Sequence, residues 1–329
     1  MQIQQIIGAD LSKKTIDLAC HLLKTHIPIT NDLKGFKEMV KWLKQQQINL
    51  AEVMIVMEHT GLYSVCFEDY LHQQQIAFTK VNALAIKRSL GLVRGKNDKI
   101  DAKRIAGYGY EKRDQLIRTP VVQEKLKRLQ MLQSTRVRLV RQRASLICAV
   151  KEYKNIEVSD KDLIIRSQLQ LIKGYDKQIE CLETEMESVI ESQETLKHNY
   201  RLLQTIKGVG PVLALNAIIK TNNFTKFANA RKFACYCGTA PFENTSGSSI
   251  KGRTKISHLA DKQMKTLLDL SAKSAIQYDK EIREFYLKRT ENGKSKMSTI
   301  NIVRNKIIYR MFAVIKRQTP FIENYLNAA

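Results

Sequence analysis

The first third of the chain alternates between two hydrophobic periods. Short apolar runs at 3–10 (IQQIIGAD), 52–58 (EVMIVME) and 76–82 (IAFTKVN) predict buried strands, and KTIDLACHLL at 14–23 is placed to pair with the first of them. Between these runs the period lengthens. Leu33, Phe36, Met39, Val40 and Leu43 recur as one face of a helix over 33–46, and YSVCFEDYLHQQ at 63–74 reads as a second helix. DKIDAKRIAGYGYEK at 98–112 reads as a third, with Asn97 in position to cap it. Strands interleaved with helices predict an α/β layer fold.

The pattern changes after Pro120, which opens a long helical stretch. Leu132, Leu139 and Leu146 recur at heptad spacing, as do Ile165, Ile172, Ile179 and Met186, and beside them Tyr175, Leu182, Val189 and Leu196. Such spacing predicts a coiled-coil seam, within one chain or between chains, with a turn at EYKNIEVSD (152–160). From 201 onward two apolar helical runs flank Gly208 and Gly210, with Pro211 at the start of the second. A loop rich in Gly, Ser and Thr follows at 233–257, and helical patterns with many Lys and Arg run from about 258 to the end.

Charge narrows the choice of partner. Lys plus Arg number 55 against 32 Asp plus Glu, a net charge of +23. Such an excess gains affinity for a polyanion by releasing its counterions, so nucleic acid is the expected partner. No run of about 18 apolar residues is present to span a membrane. MQIQQIIGADLSKK lacks the charged start and apolar core of a secretory signal, so the chain is expected in the cytoplasm. The six cysteines are scattered without a CxxC pair, which argues against structural zinc and for free thiols. Cys235 and Cys237 read as small buried apolar residues.

Within this basic chain, LVRGKNDKIDAKRIA (92–106) sets Asp98 and Asp101 among Arg94, Lys96, Lys99, Lys103 and Arg104. A plain phosphate-binding surface would exclude acids. Asp98 and Asp101 share one helical face, Asp10 ends the first strand and Glu58 the second. Converging carboxylates repel one another unless a hard cation such as Mg2+ joins them, and such a cation also takes phosphate oxygens. Two such ions activate an attacking oxygen and stabilise a leaving one. The neighbouring bases then hold the nucleic-acid backbone. Singly, each acid is equally served by a cap or a surface ion pair. The KGVG turn containing Gly208 and Gly210 resembles a helix-hairpin-helix, whose free N–H groups face a phosphate, or it is an ordinary tight connection. TSGSS (245–249), followed by Lys251, Arg253 and Lys255, is either a surface turn or a serine nucleophile with cations to stabilise developing charge.

GADLSKKTIDLA, VMEHTGLYS, VNALAIKRSLGLVRGKNDKIDAKRIAGYG, IKGVGPVLALNAI and FACYCGTAPFENTSGSSIKGRTKIS occur in this order. The ordered set resembles the DEDD transposases of the IS110-type insertion sequences, which include the Piv-type DNA invertases, over nearly the whole chain. The resemblance implies a RuvC-like, RNase H-type domain over 1–118, coiled-coil helices over 119–200 and a mainly helical C-terminal transposase domain over 201–329. It implies a Mg2+ site of Asp10, Glu58, Asp98 and Asp101, and a catalytic serine placed at Ser246, with Ser248 and Ser249 as alternatives. It implies a covalent phosphoserine link to DNA, and a composite active centre to which another subunit brings its acids. Its implied partners are donor and target DNA, a bridge RNA and further copies of the chain in dimers or tetramers. One departure from the pattern is Ala260-Asp261, where the family more usually has Gly-Asn. Two other functions fit parts of the sequence. A RuvC-like junction resolvase that hydrolyses with water fits the first third, and a non-catalytic nucleic-acid-binding protein fits the charge but leaves the acids unexplained.

Overall fold

A computed structural model describes residues 3–91, 95, 97–246 and 250–322, apart from the side chains at 246, 250, 251 and 253. Arg94, Lys96, Gly247, Ser248 and Ser249 lie outside the described residues. The chain forms two compact units, Met1–Val121 and Val122–Ala329.

The first unit is built on a five-stranded sheet in the order β3-β2-β1-β4-β5. Its central strand β1 (Gln5–Leu11) runs antiparallel to β2 (Thr15–Cys20) and parallel to β4 (Val53–Glu58), which is parallel to β5 (Ala77–Val81). Side chains alternate across a strand, so β1 divides its apolar residues between two layers. Ile7, Ala9 and Leu11 pack with Phe36, Met39 and Leu43 of α1 (Leu33–Gln45) and with Phe67 and Leu71 of α2 (Val65–Gln73). Ile6 turns the other way, toward Met54, Val56, Ile86 of α3 (Ala83–Ser89) and Ile105 of α4 (Asp98–Glu111). Leu33, assigned by spacing to the buried face of α1, is instead exposed, because Asp32 beside it is the cap and the chain enters the helix from outside.

One strand escapes the hydrophobic pattern. β3 (His26–Thr30) pairs antiparallel with β2, although Pro28 interrupts it. A proline donates no hydrogen bond and is tolerated on an edge strand, which is where β3 lies. The opposite edge is also occupied: the Thr119 N–H donates to the Phe78 carbonyl at 2.8 Å, and its hydroxyl accepts from Lys80 N at 3.2 Å.

α4 lies unusually close to the sheet. A Cβ on Gly8 would stand 2.2 Å from the Ala102 carbonyl oxygen and 2.3 Å from the Ala106 nitrogen, so only glycine fits. Near the other end of α4, a Cβ on Gly109 would meet Val56 Cγ2 at 2.7 Å and Ile6 Cγ2 at 2.8 Å. Tyr110 stacks on His21 with ring centroids 4.4 Å apart, and Arg113 covers the Tyr110 ring at 4.6 Å.

In the second unit, α5 (Glu124–Asn155) and α6 (Leu163–Glu191) run in opposite directions side by side. The ion pairs Arg128–Glu185, Arg136–Glu183 and Arg143–Asp176 mark this descending register. Ile165, Ile179 and Met186 are buried, but Leu196 belongs to α7 (Glu194–Gln204), beyond a break at the end of α6. α7, α8 (Pro211–Thr221), α9 (Ala230–Tyr236), α10 (Lys262–Tyr278) and α12 (Lys296–Arg317) share one apolar cluster with the near ends of α5 and α6. α11 (Lys280–Glu291) adds Ile282 to it. The stretch read as a loop over 233–257 is for the most part regular. It contains the end of α9 and a hairpin of β6 (Pro241–Ser246) and β7 (Ile250–Ile256). Thr, Ile and alternating charges at 250–256 carry that strand signal. Cys237 is buried as expected, while Cys235 is half-buried on the last turn of α9.

Gly8→Ala is expected to destabilise the protein by about 1–3 kcal/mol in urea melts, because the clash is with backbone and α4 must lift. Gln133 is buried on α5 with neither Oε1 nor Nε2 partnered among the described residues. Gln133→Leu is expected to stabilise by about 1–3 kcal/mol in the same measurement, since it removes two unsatisfied polar atoms.

Candidate active site

Backbone placement brings the acids predicted from sequence to the same end of the sheet, near enough for their charges to be felt at Asp10. Asp10 is the penultimate residue of β1 and falls on the same face as Gly8, the face covered by α4. Glu58 ends β4, one step beyond Ala9–Met57, the last registered pair between these parallel strands. α4 then brings Asp98 and Asp101 in its first turn. Its start is set by Asn97, whose Oδ1 accepts from the Ile100 N–H at 2.8 Å. The approach that Gly8 permits carries this turn toward the carboxyl ends of β1 and β4.

The electrostatic result is felt at Asp10. Burial, and then the negative charges of Asp101, Asp98, Glu58 and Asp17, push its carboxyl up from 3.8 to about 6. Asp17 was not among the sequence candidates. It stands directly across from Asp10 in the β1–β2 register, is 9% exposed, and lies 2.6 Å from His26 Nε2. Its sequence signal was an acid at a buried position of an otherwise apolar strand. Asp101 is tied to Arg104, whose guanidinium donates at 2.9 Å and also holds the Gly95 carbonyl at 2.9 Å. Arg104 is therefore half-buried beside Asp101, whereas Lys99 and Lys103 are exposed. Among the described residues, no three His, Cys, Asp or Glu side chains stand close enough together to hold a metal ion.

The serine motif lies in the second unit. Ser246 closes β6, with Ile250 as its register partner and Thr245 facing Lys251. Gly252 opposes Asn244, where a Cβ would meet the Asn244 carbonyl oxygen at 2.7 Å. Lys255 is exposed, opposite Phe242. The hairpin is rooted beside a half-buried polar group. The Tyr236 hydroxyl donates to Asp261 Oδ2 at 2.9 Å, Lys220 Nζ lies 2.9 Å from the same oxygen, and Asp261 Oδ1 caps α10 by accepting from Met264 N. Burial works to raise the Asp261 carboxyl, but the Met264 N–H and the Lys220 ammonium outweigh it and hold the group below the usual range. Burial, and then the Asp261 charge, drive the Tyr236 hydroxyl far upward. Ala260 packs against Gly238, where a Cβ would come within 2.4 Å of the Ala260 Cβ. The Ala-Asp departure thus has a local structural role in packing and capping.

The two glycines of the KGVG turn separate in role. Gly208 has φ +91° and faces α10, where a Cβ would meet the Ser271 carbonyl oxygen at 2.7 Å, and Ser271 Oγ donates to the Gly208 carbonyl at 2.5 Å. A side chain at this position would therefore collide with α10. Gly210 is exposed with open space around it, at the N-terminus of α8.

Comparison with known proteins finds two family models. A DEDD-type IS110 transposase model matches residues 7–153, and a model described as transposase of the IS116/IS110/IS902 family matches residues 200–287. A pilin gene-inverting protein of Moraxella bovis is 26% identical, covering 96% of this chain and 97% of that protein. Its namesake from Moraxella lacunata is 25% identical over the same shares. An uncharacterized 43.6 kDa protein of insertion element IS110 from Streptomyces coelicolor is 25% identical over 51% of this chain and 40% of its own length.

The raised carboxyl of Asp10 has a sign that melts can read. Its proton is held more tightly in the folded than in the unfolded chain, so this contribution to stability is present below 3.8 and is lost as pH rises through about 6. In metal-free protein, Asp10→Asn is expected to melt at a higher temperature than wild type near about pH 8, with the gap closing below about pH 4.

Proposed function

The chain belongs to the IS110-type DEDD transposases, related to the Piv-type invertases, and on that premise we propose that it cuts and rejoins DNA strands through a Mg2+-holding acid site and a serine nucleophile, guided by a bridge RNA. It is a DNA recombinase by family. The observation that carries the metal reading is the field at Asp10, raised after burial by Asp101, Asp98 and Glu58. Four oxygen-donor side chains, drawn from two strand ends and one helix turn, fit a hard divalent cation in chemistry. Bound there, Mg2+ supplies a Lewis acid for phosphoryl transfer. Arg104 balances Asp101 until then, and the exposed Lys99 and Lys103 hold the backbone of the nucleic acid.

In the proposed reaction the Ser246 hydroxyl oxygen forms a bond to a backbone phosphorus. The bridging P–O bond to the neighbouring nucleotide breaks, the serine proton leaves, and the departing oxygen takes one up. The phosphoserine conserves the energy of the broken bond, so rejoining to another strand needs no further cofactor. Placement of Ser246 at the tip end of a hairpin, with Lys251, Arg253 and Lys255 following, supports this role. The exposed N-terminus of α8 at Gly210 supports a backbone contact. The sheet order supports a RuvC-like, RNase H-type domain over 1–118, and the opposed helices α5 and α6 support a coiled-coil segment within 119–200, ahead of a transposase domain over 201–329. The net charge of +23 suits simultaneous binding of DNA and RNA. Copies of the chain are proposed to assemble as dimers or tetramers, each bringing acids to another's serine.

A denaturing gel tests this reading. Purified protein is incubated with Mg2+, element-junction DNA and RNA transcribed from the element's noncoding flank. Wild type is expected to give a covalent protein–DNA adduct, Ser246→Ala none, and Asp101→Ala a loss of roughly a hundredfold or more. Cleavage without an adduct that survives Ser246→Ala but not Asp101→Ala would instead assign a water-using nuclease of the junction-resolvase kind.

A further inference from the structure

Asn31 lies between β3 and α1, distant in sequence from the four proposed acids. The backbone around it is fixed. A Cβ on Gly35 would lie 2.0 Å from the Thr30 carbonyl oxygen, so the chain turns there in a space only glycine allows. Asp32 Oδ1 caps α1 by accepting from Gly35 N at 2.9 Å and also accepts the Thr30 hydroxyl at 2.7 Å. The Asn31 backbone N–H donates to the Lys14 carbonyl at 2.8 Å.

From this anchored position the Asn31 side chain reaches two loops. Its Nδ2 donates to the Ser12 carbonyl at 2.9 Å and to the Tyr63 carbonyl at 2.9 Å. Ser12 follows Asp10 by two positions, in a β1–β2 turn closed by its own hydroxyl, which donates to the Thr15 carbonyl at 2.9 Å and accepts from Thr15 N at 3.0 Å. Tyr63 lies in the single 3-10 turn Gly61–Ser64 that follows Glu58. One primary amide has two N–H groups, and both are spent here, one on the chain leaving each acid-bearing strand. Oδ1 is buried without a partner among the described residues. The amide cannot turn over, since its oxygen would then face two carbonyls. The β1–β4 pairing runs as far as Ala9–Met57. Beyond that pair, at Asp10 and Glu58, the Asn31 amide joins the two exits.

We propose that Asn31 is a positioning residue for the acid site, clamping the chain beyond Asp10 to the chain beyond Glu58 and so fixing the separation at which the two carboxylates share a divalent cation. This rests on the metal reading above. Asn31 touches neither substrate nor metal, and it acts through the two loops.

The experiment uses full-length protein with Asn31→Ala, and Asn31→Asp as the variant that keeps the shape while removing both donors. Hydrogen exchange in metal-free protein is expected to show residues 12–15 and 61–64 opening about tenfold faster in both variants, with the cores of β1 and β4 unchanged. Thermal melts titrated with Mg2+ alone are expected to show the stabilisation of wild type shifted to about tenfold higher Mg2+ in both variants, and abolished in Asp10→Asn. A residue that only supports the fold would lower the melting temperature without moving that midpoint. Unchanged exchange in the two loops, or faster exchange with an unchanged Mg2+ midpoint, overturns the assignment of Asn31 alone. Absence of any Mg2+ effect on wild type overturns the metal reading, and the positioning role with it.

Discussion

The acid end of the first unit depends on the absence of one methyl group. The Ala102 carbonyl and the Ala106 nitrogen occupy the space that a Cβ on Gly8 would fill. This lets α4 settle against β1 at backbone distance, and the helix carries Asp98 and Asp101 with it. Apolar packing supplies the force, through Ile6, Val56 and Ile105, and the cost is concentrated at Asp10, whose carboxyl is held near about 6. Packing energy in one layer is thereby used to hold like charges together in the next. Such strain between folding and charge is characteristic of a functional site.

Much of this organisation was legible in the sequence. The strands β1, β4 and β5 announced themselves as apolar runs, and α1 by its period. Asn97 was recognisable as a cap, and its Oδ1 accepts the Ile100 N–H as that reading requires. Where sequence reading failed, tertiary context decided. β3 is interrupted by Pro28 and so does not signal itself, and it exists because β2 offers it an edge. The β6–β7 hairpin was hidden by glycine and serine, residues that mark turns, although Thr and Ile alternate with charges beyond them. Asp17 was missed because the β1–β2 register, and no local motif, places it opposite Asp10. Gly208 also packs closely against α10, far along the chain, a contact that its local spacing does not show. Spacing within one segment cannot report a contact supplied by another.

The charge distribution has two ranges. At long range the chain presents an excess of 23 positive charges, which draws in a polyanion. Within the roughly 8–10 Å over which ions leave a field unscreened at physiological salt, the acids around Asp10 reverse the sign. Among the described residues of the 92–106 stretch, Arg104, bonded to Asp101 and to the Gly95 carbonyl, is the basic residue that the fold turns inward. The alternation of acids and bases in that segment thus has two settings, with one guanidinium balancing Asp101 and Lys99 and Lys103 exposed.

The edges of the five-stranded sheet bear on how the chain behaves at high concentration. Crowding is the condition under which open strand edges join from chain to chain. Here one edge carries Pro28, and the other has its Phe78 carbonyl and Lys80 N–H occupied by Thr119. Neither margin offers an uninterrupted ladder to a neighbouring sheet. Crowded copies are thus kept from joining sheet to sheet, and any contact between them is left to other surfaces.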